Sequence, residues 1–187
     1  MQGQQDPADE FKVIQLLLDN YFKPSSKEII YFATIIRELR GLGFTGTNEQ
    51  LTQLAQKGIY RLRILGMVSD WTTDFVNHYE VEFLSQDEKQ VFDALFQYVS
   101  KYKPDIELRE ELEKQNGKTF LEKCIWYLLK WTFDNITYSR KQTLKTLAEW
   151  CDDFEEIGNE KFKQRIDNYF RFTDTTFIFQ HIGENPK

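Results

Sequence analysis

Metal-ligating side chains are scarce in this sequence. Its only cysteines are Cys124 and Cys151 and its only histidines are His78 and His181, none of them at the short spacings of a zinc site. The thiols are expected to be ordinary core residues on helices, and no metal is assigned. Phosphate-binding motifs are missing as well, because no GxxxxGK[ST] string occurs. The one glycine-rich string, GLGFTG (Gly41, Gly43, Gly46), has dinucleotide-fingerprint spacing but lies between two helical segments instead of joining a strand to a helix. It reads as a helix-ending turn with positive φ. No apolar run approaches the roughly 20 residues of a membrane span, and no basic-then-apolar leader opens the chain. No membrane partner and a cytoplasmic location are expected.

Catalytic groupings are equally thin. Neither histidine has a nucleophile evident beside it, and the carboxylates of ELREELEK and CDDFEEIGNE read as solvated helix faces. No catalytic residue and no cofactor are assigned.

What the chain does contain is aromatic bulk and unevenly placed charge. Sixteen Phe, nine Tyr and four Trp in 187 residues argue for a packed core. The net charge is −6, yet Lys27 to Arg63 holds six cations (Lys27, Arg37, Arg40, Lys57, Arg61, Arg63) against three carboxylates, a local +3. Lys118 to Leu147 holds six more against two, a local +4. An acidic chain that gathers its cations in two places keeps nucleic acid, DNA or RNA, open as a partner.

The punctuation of the chain predicts its elements. Residues 1–10 read as a disordered lead-in, followed by a helix from Phe11 to Phe22 that Pro24 ends. Ser25 or Ser26 is expected to cap a second helix reaching Gly41, and Thr47 or Asn48 a third. The run MVSDWTTDFVNHYEVEFL predicts a hairpin, Ser69 to Val76 and Tyr79 to Leu84, turning near Asn77-His78. Ser85 to Glu88 has capping-box spacing and opens a helix that Pro104 ends. A further helix follows from Asp105 to Gly117. Thr119 to Phe154 reads as one long helix or as two, and Asn159 caps a last one. The expected fold is mainly α: a winged helix (three helices plus a β-hairpin wing) over residues 11–84, then an all-α helical domain over 85–187.

The third helix carries the chemistry of interest. With Leu51, Leu54, Ala55, Leu62 and Leu65 inward, Gln50, Gln53, Lys57, Tyr60, Arg61 and Ile64 fall outward or at the margin. Lys57 and Arg61 then stand one turn apart. Gln, Lys and Arg are the side chains that reach base edges and phosphates from the major groove. In the wing, Phe75, His78 and Tyr79 cluster near the turn, either packed on the core or poised to stack on a base. Arg140, Lys141 and Lys145, in YSRKQTLK, either neutralise phosphates or complement acidic neighbours.

The stretch GIYRLRILGMVSDWTTDFVNHYEVEF resembles the winged-helix region behind the motor domains of large bacterial RecQ-like ATP-dependent DNA helicases. CIWYLLKWTFDNITYSRKQTLKTLAEWC resembles the helical segment that follows it there, so the likeness covers roughly Thr47 to Phe172. It implies a parent enzyme that unwinds DNA with ATP, and a chain that lies C-terminal to the motor. Without a phosphate-binding loop, a DEAD- or DEAH-type box or a four-cysteine zinc module, this chain by itself should neither bind nor hydrolyse ATP. The implied role is non-catalytic. Lys57, Arg61 and Arg63 would grip duplex or forked DNA, with Gln50 and Gln53 nearby and Arg140, Lys141 and Lys145 extending the track. By position, Phe75, His78 or Tyr79 would split the terminal base pair, as a wing aromatic does in some members. The implied partners are DNA and the motor domains of the parent helicase. The alternative expectation is a winged-helix protein-interaction module that docks on a motor domain or another partner.

Overall fold

An Asp-Pro pair starts the first helix. In the computed structural model, which describes residues 6–74 and 77–135, α1 spans Pro7–Tyr21. The Asp6 carboxylate caps it by accepting from the Ala8 N–H, and Pro7 sits where a helix needs no N–H donor. The helix therefore begins inside the stretch expected to be disordered, four residues before Phe11. Val13, Ile14 and Leu17 line its fully buried stripe.

The next segment corrects the sequence reading. Ser26–Tyr31 is a strand (β1) and not the first turns of a helix, and Ser25 has φ 58, unlike an N-cap. Alternation governs it: Lys27, Ile29 and Tyr31 are exposed while Ile30 is buried. Helix α2 is correspondingly shorter, Phe32–Gly41. It ends as GLGFTG predicts, with Gly43 at φ 90 while the Gly43 and Phe44 N–H groups donate back to Arg40 and Leu39 carbonyls. Gly41 is the last helical residue and shows no positive φ.

Helix α3, Asn48–Ile64, opens on a capping box in which Thr47 and Gln50 satisfy each other's backbone N–H. All five leucine and alanine positions expected inward are buried. Gly58 is buried too, because α1 crosses there: a Cβ at Gly58 would stand 2.7 Å from Leu17 Cδ1. Strands β2 (Val68–Asp74) and β3 (His78–Phe83) follow, close to the expected hairpin. They join β1 in one antiparallel sheet of order β1-β3-β2. Tyr79, Val81 and Phe83 fill its inner face with at most 1% exposure.

Helix α4, Glu88–Ser100, is capped by Asp87 with Gln90, two residues beyond the expected Ser85–Glu88 box. Helix α5 is brief, Leu108–Glu113, against an expected Asp105 to Gly117. Thr119 then accepts from the Glu122 N–H and residues 120–130 are helical (α6). The chain divides into two compact units, Met1–Lys130 and Trp131–Lys187. Packing holds the first unit together. Phe11 of α1 stacks on Trp126 of α6 at 4.4 Å between centroids, and a Cβ at Gly66, just past α3, would meet Ala94 of α4 at 3.4 Å. In the second unit residues 131–135 are helical. The possible break near 134–137, the remainder of the predicted 119–154 helix and the Asn159-capped helix reach into or lie wholly in 136–187, outside the described residues. The described residues are thus mainly helical, with one three-stranded antiparallel sheet.

Candidate nucleic-acid interface

Helix α3 has one well-buried side, toward α1 and the sheet, and one exposed side. Glu49, Gln53, Gln56, Lys57 and Arg63 are exposed, with Tyr60 and Ile64 half-buried beside them. This surface carries two cations and one carboxylate. Arg40, exposed at the end of α2, adds a third cation by donating from Nη2 to Asn48 Oδ1 at 2.8 Å, against the first turn of α3. Gln56 and Arg40 were not among the residues expected at the site. Gln56 follows Gln53 at i+3, a spacing that places both on one face. Arg40 needed the fold, since only the turn through Gly43 brings it back to Asn48.

Two expected contacts have other duties. Gln50 Oε1 accepts from the Thr47 N–H at 2.9 Å, so that oxygen is taken by the helix cap. Arg61 is 4% exposed, and its Nε donates to Glu10 Oε2 at 3.2 Å. It joins α3 to α1 inside the protein and does not lie on the exposed face with Lys57. The physical reason is angular: four residues advance a helix by about 400°, so a residue at the margin is followed by one about 40° further round. Lys57 sits on the wet side of that margin and Arg61 on the dry side.

The C-terminal half of the α3 surface meets α4. Burial, reinforced by the neighbouring Tyr60 and Tyr102 phenols, pushes the Tyr98 hydroxyl well above the ordinary phenol range. The Tyr98 and Tyr102 rings lie 5.8 Å apart, edge to face. The accessible patch is therefore centred on Gln53, Gln56 and Lys57, with Arg40 and Arg63 at its two ends.

The three aromatics expected near the hairpin turn divide three ways. Tyr79 is fully buried: its hydroxyl donates to the Thr52 carbonyl of α3 at 2.6 Å, and its ring packs edge-on to Phe32 and Trp71. It is a core residue that ties the sheet to α3 and is no candidate for stacking on a base. Burial keeps its phenol protonated far above the usual range. His78 opens β3, with its ring 5.8 Å from Tyr31 and Nε2 3.4 Å from Glu80 Oε1. Phe75 lies outside the described residues. Period-two alternation separates the buried Tyr79, Val81 and Phe83 from His78, Glu80 and Glu82 on the outer face.

The second basic segment is described only in part. Lys123 pairs with Glu113 at 3.2 Å, and Lys118 and Lys130 are exposed. Arg140, Lys141 and Lys145 lie outside the described residues. Cys124 is fully buried, and that burial, with the Glu88 charge, pushes its thiol up to about 12. Among the described residues no three His, Cys, Asp or Glu side chains group as metal ligands, and no helix is long and apolar enough to cross a membrane. No protein-family model, curated protein or solved structure matches the chain.

Proposed function

We propose that this chain is a winged-helix, DNA-binding accessory region of the kind that follows the motor of RecQ-like helicases, with no catalytic step of its own. The element order α1-β1-α2-α3-β2-β3 and the sheet order β1-β3-β2 support a winged helix with α3 as its recognition helix. The observation that carries the reading is the exposed side of α3. A chain of net charge −6 presents Gln53, Gln56, Lys57 and Arg63 together there, with Glu49 the only carboxylate. Lys57 and Arg63 contact phosphates, Arg40 extends the contact beyond the first turn, and the two glutamines reach base edges or sugars. Arg61 holds the helix at its angle to α1 and takes no part in the contact.

Fluorescence anisotropy on a forked duplex across a salt series tests this. Affinity should fall steeply with salt, and Lys57→Ala with Arg63→Ala should weaken binding about tenfold or more while flattening the log–log salt slope by roughly two. Salt-independent binding, or an unchanged slope in the double variant, would count against the reading. A second reading, a protein-docking module, has its own observation in the exposed Ile29 and Tyr31 on the outer face of the sheet.

A further inference from the structure

The outer face of the sheet has the opposite character to α3. Cross-strand register aligns Lys27 with Glu82 and Asp70, and Ile29 with Glu80 and Thr72. Residues so opposed stand about 5 Å apart at Cβ, close enough to form one surface. Asp70 and Glu80, both exposed, and the half-buried Glu82 therefore share this face with Lys27 and with His78, which stands beside Glu80, and the three carboxylates give a field that repels phosphate. Beside them Ile29 is 48% and Tyr31 54% exposed, two large apolar side chains at alternate positions of one strand. That strand is an edge: among the described residues β3 is its only strand neighbour. A six-residue edge strand turns about half of its backbone N–H and C=O groups away from the sheet.

We infer that β1 and the adjoining outer face dock an extended, basic and partly apolar segment of a partner polypeptide, which adds as a strand along β1. Its backbone pairs with the outer edge of β1, its apolar side chains cover Ile29 and Tyr31, and its lysines or arginines reach over β1 to Glu80 and Glu82 on β3. Charge complementarity selects this occupant. A second copy of the chain would bring the same carboxylates against these, and a nucleic acid would bring phosphates. The inference deepens the protein-docking reading and is independent of DNA contact at α3.

The probe is a synthetic ten-residue peptide whose alternate positions carry Lys, Val, Lys, Trp and Lys with Thr between them, so that period two puts cations and apolar side chains on one face; it is titrated into the 15N-labelled chain, with a Glu-for-Lys peptide as control. The basic peptide should shift and protect amides of residues 26–31 and the facing residues of β3, and the acidic one should not. Ile29→Ser with Tyr31→Ser should weaken binding at least tenfold, and Glu80→Lys severalfold. Both changes fall at exposed positions, and thermal melts confirm that the variants are folded. Binding that maps elsewhere and ignores these variants overturns the site but leaves the docking reading standing. No binding of the peptide overturns both. Concentration-dependent self-association abolished by Ile29→Ser with Tyr31→Ser would identify a second copy as the occupant and overturn the basic-segment assignment.

Discussion

Lys57 and Arg61 are one turn apart and do different work. Lys57 is exposed, whereas Arg61 is sealed against Glu10, 51 residues earlier in the chain. Their spacing was legible in the sequence, but the ion pair was not, because nothing local to α3 announces a carboxylate on α1. Breaking a buried pair leaves an uncompensated charge, and Glu10 keeps some access to water at 15% exposure. Arg61→Ala should therefore cost about 2–3 kcal/mol of stability, at or below the low end for buried pairs. Lys57→Ala should stay within about 0.5 kcal/mol of the parent. Urea unfolding of the two variants checks this; equal, small effects would mean that Arg61 is not a structural residue. The sequence left Tyr79 either packed on the core or poised to stack on a base, and alternation along β3 places it in the core.

At the scale of elements, what local chemistry specifies was the most readable. The Thr47 cap, the Gly43 helix end and the hairpin each depend on a few adjacent residues, and each lies within a residue or two of its expected place. β1 was missed because its reason for being a strand is β3, about fifty residues away, while Ser25-Ser26 followed by Glu28 imitates a helix start. The beginning of α1 was missed although its signal is local: Asp6 and Pro7 form a helix-start pair within a stretch that composition alone marks as a tail. Close approach between helices is also invisible along the chain. Gly58 lies in mid-helix, where Ala would ordinarily gain about 1 kcal/mol, but its missing Cβ makes room for Leu17. Leu17 is fully buried and Val13 Cγ1 would stand 3.2 Å away as well, so overpacking of about 1–3 kcal/mol should exceed the propensity gain. Gly58→Ala should lower the urea midpoint. A raised midpoint would show that α1 yields at the crossing.

At the scale of the whole molecule, buried ionisable groups set how stability depends on pH. Burial holds the Cys124 thiol up at about 12 and raises the phenols of Tyr79 and Tyr98. In the unfolded chain these groups ionise near 8.5 and 10, so the unfolded state loses protons first and stability falls as pH rises above about 8.5. Between pH 8 and 10.5 the Cys124 contribution alone should fall by about 2.5 kcal/mol, read as a lower urea midpoint at unchanged m-value. Cys124→Ala should flatten part of that decline; an equally steep decline in the variant would place the loss elsewhere.

The larger pattern is a division of charge between two surfaces of one unit, with cations and amides on α3 and carboxylates on the outer face of the sheet. Helix α3 is the surface proposed to meet DNA, and an amide chemical-shift map of the 15N-labelled chain titrated with a short duplex tests that most directly. The predicted result is shifts concentrated at the exposed positions of α3 around Gln53, Gln56 and Lys57 and at Arg40, with β1 and the outer face of β3 unmoved. Shifts confined to the sheet, or none at low salt, would contradict it.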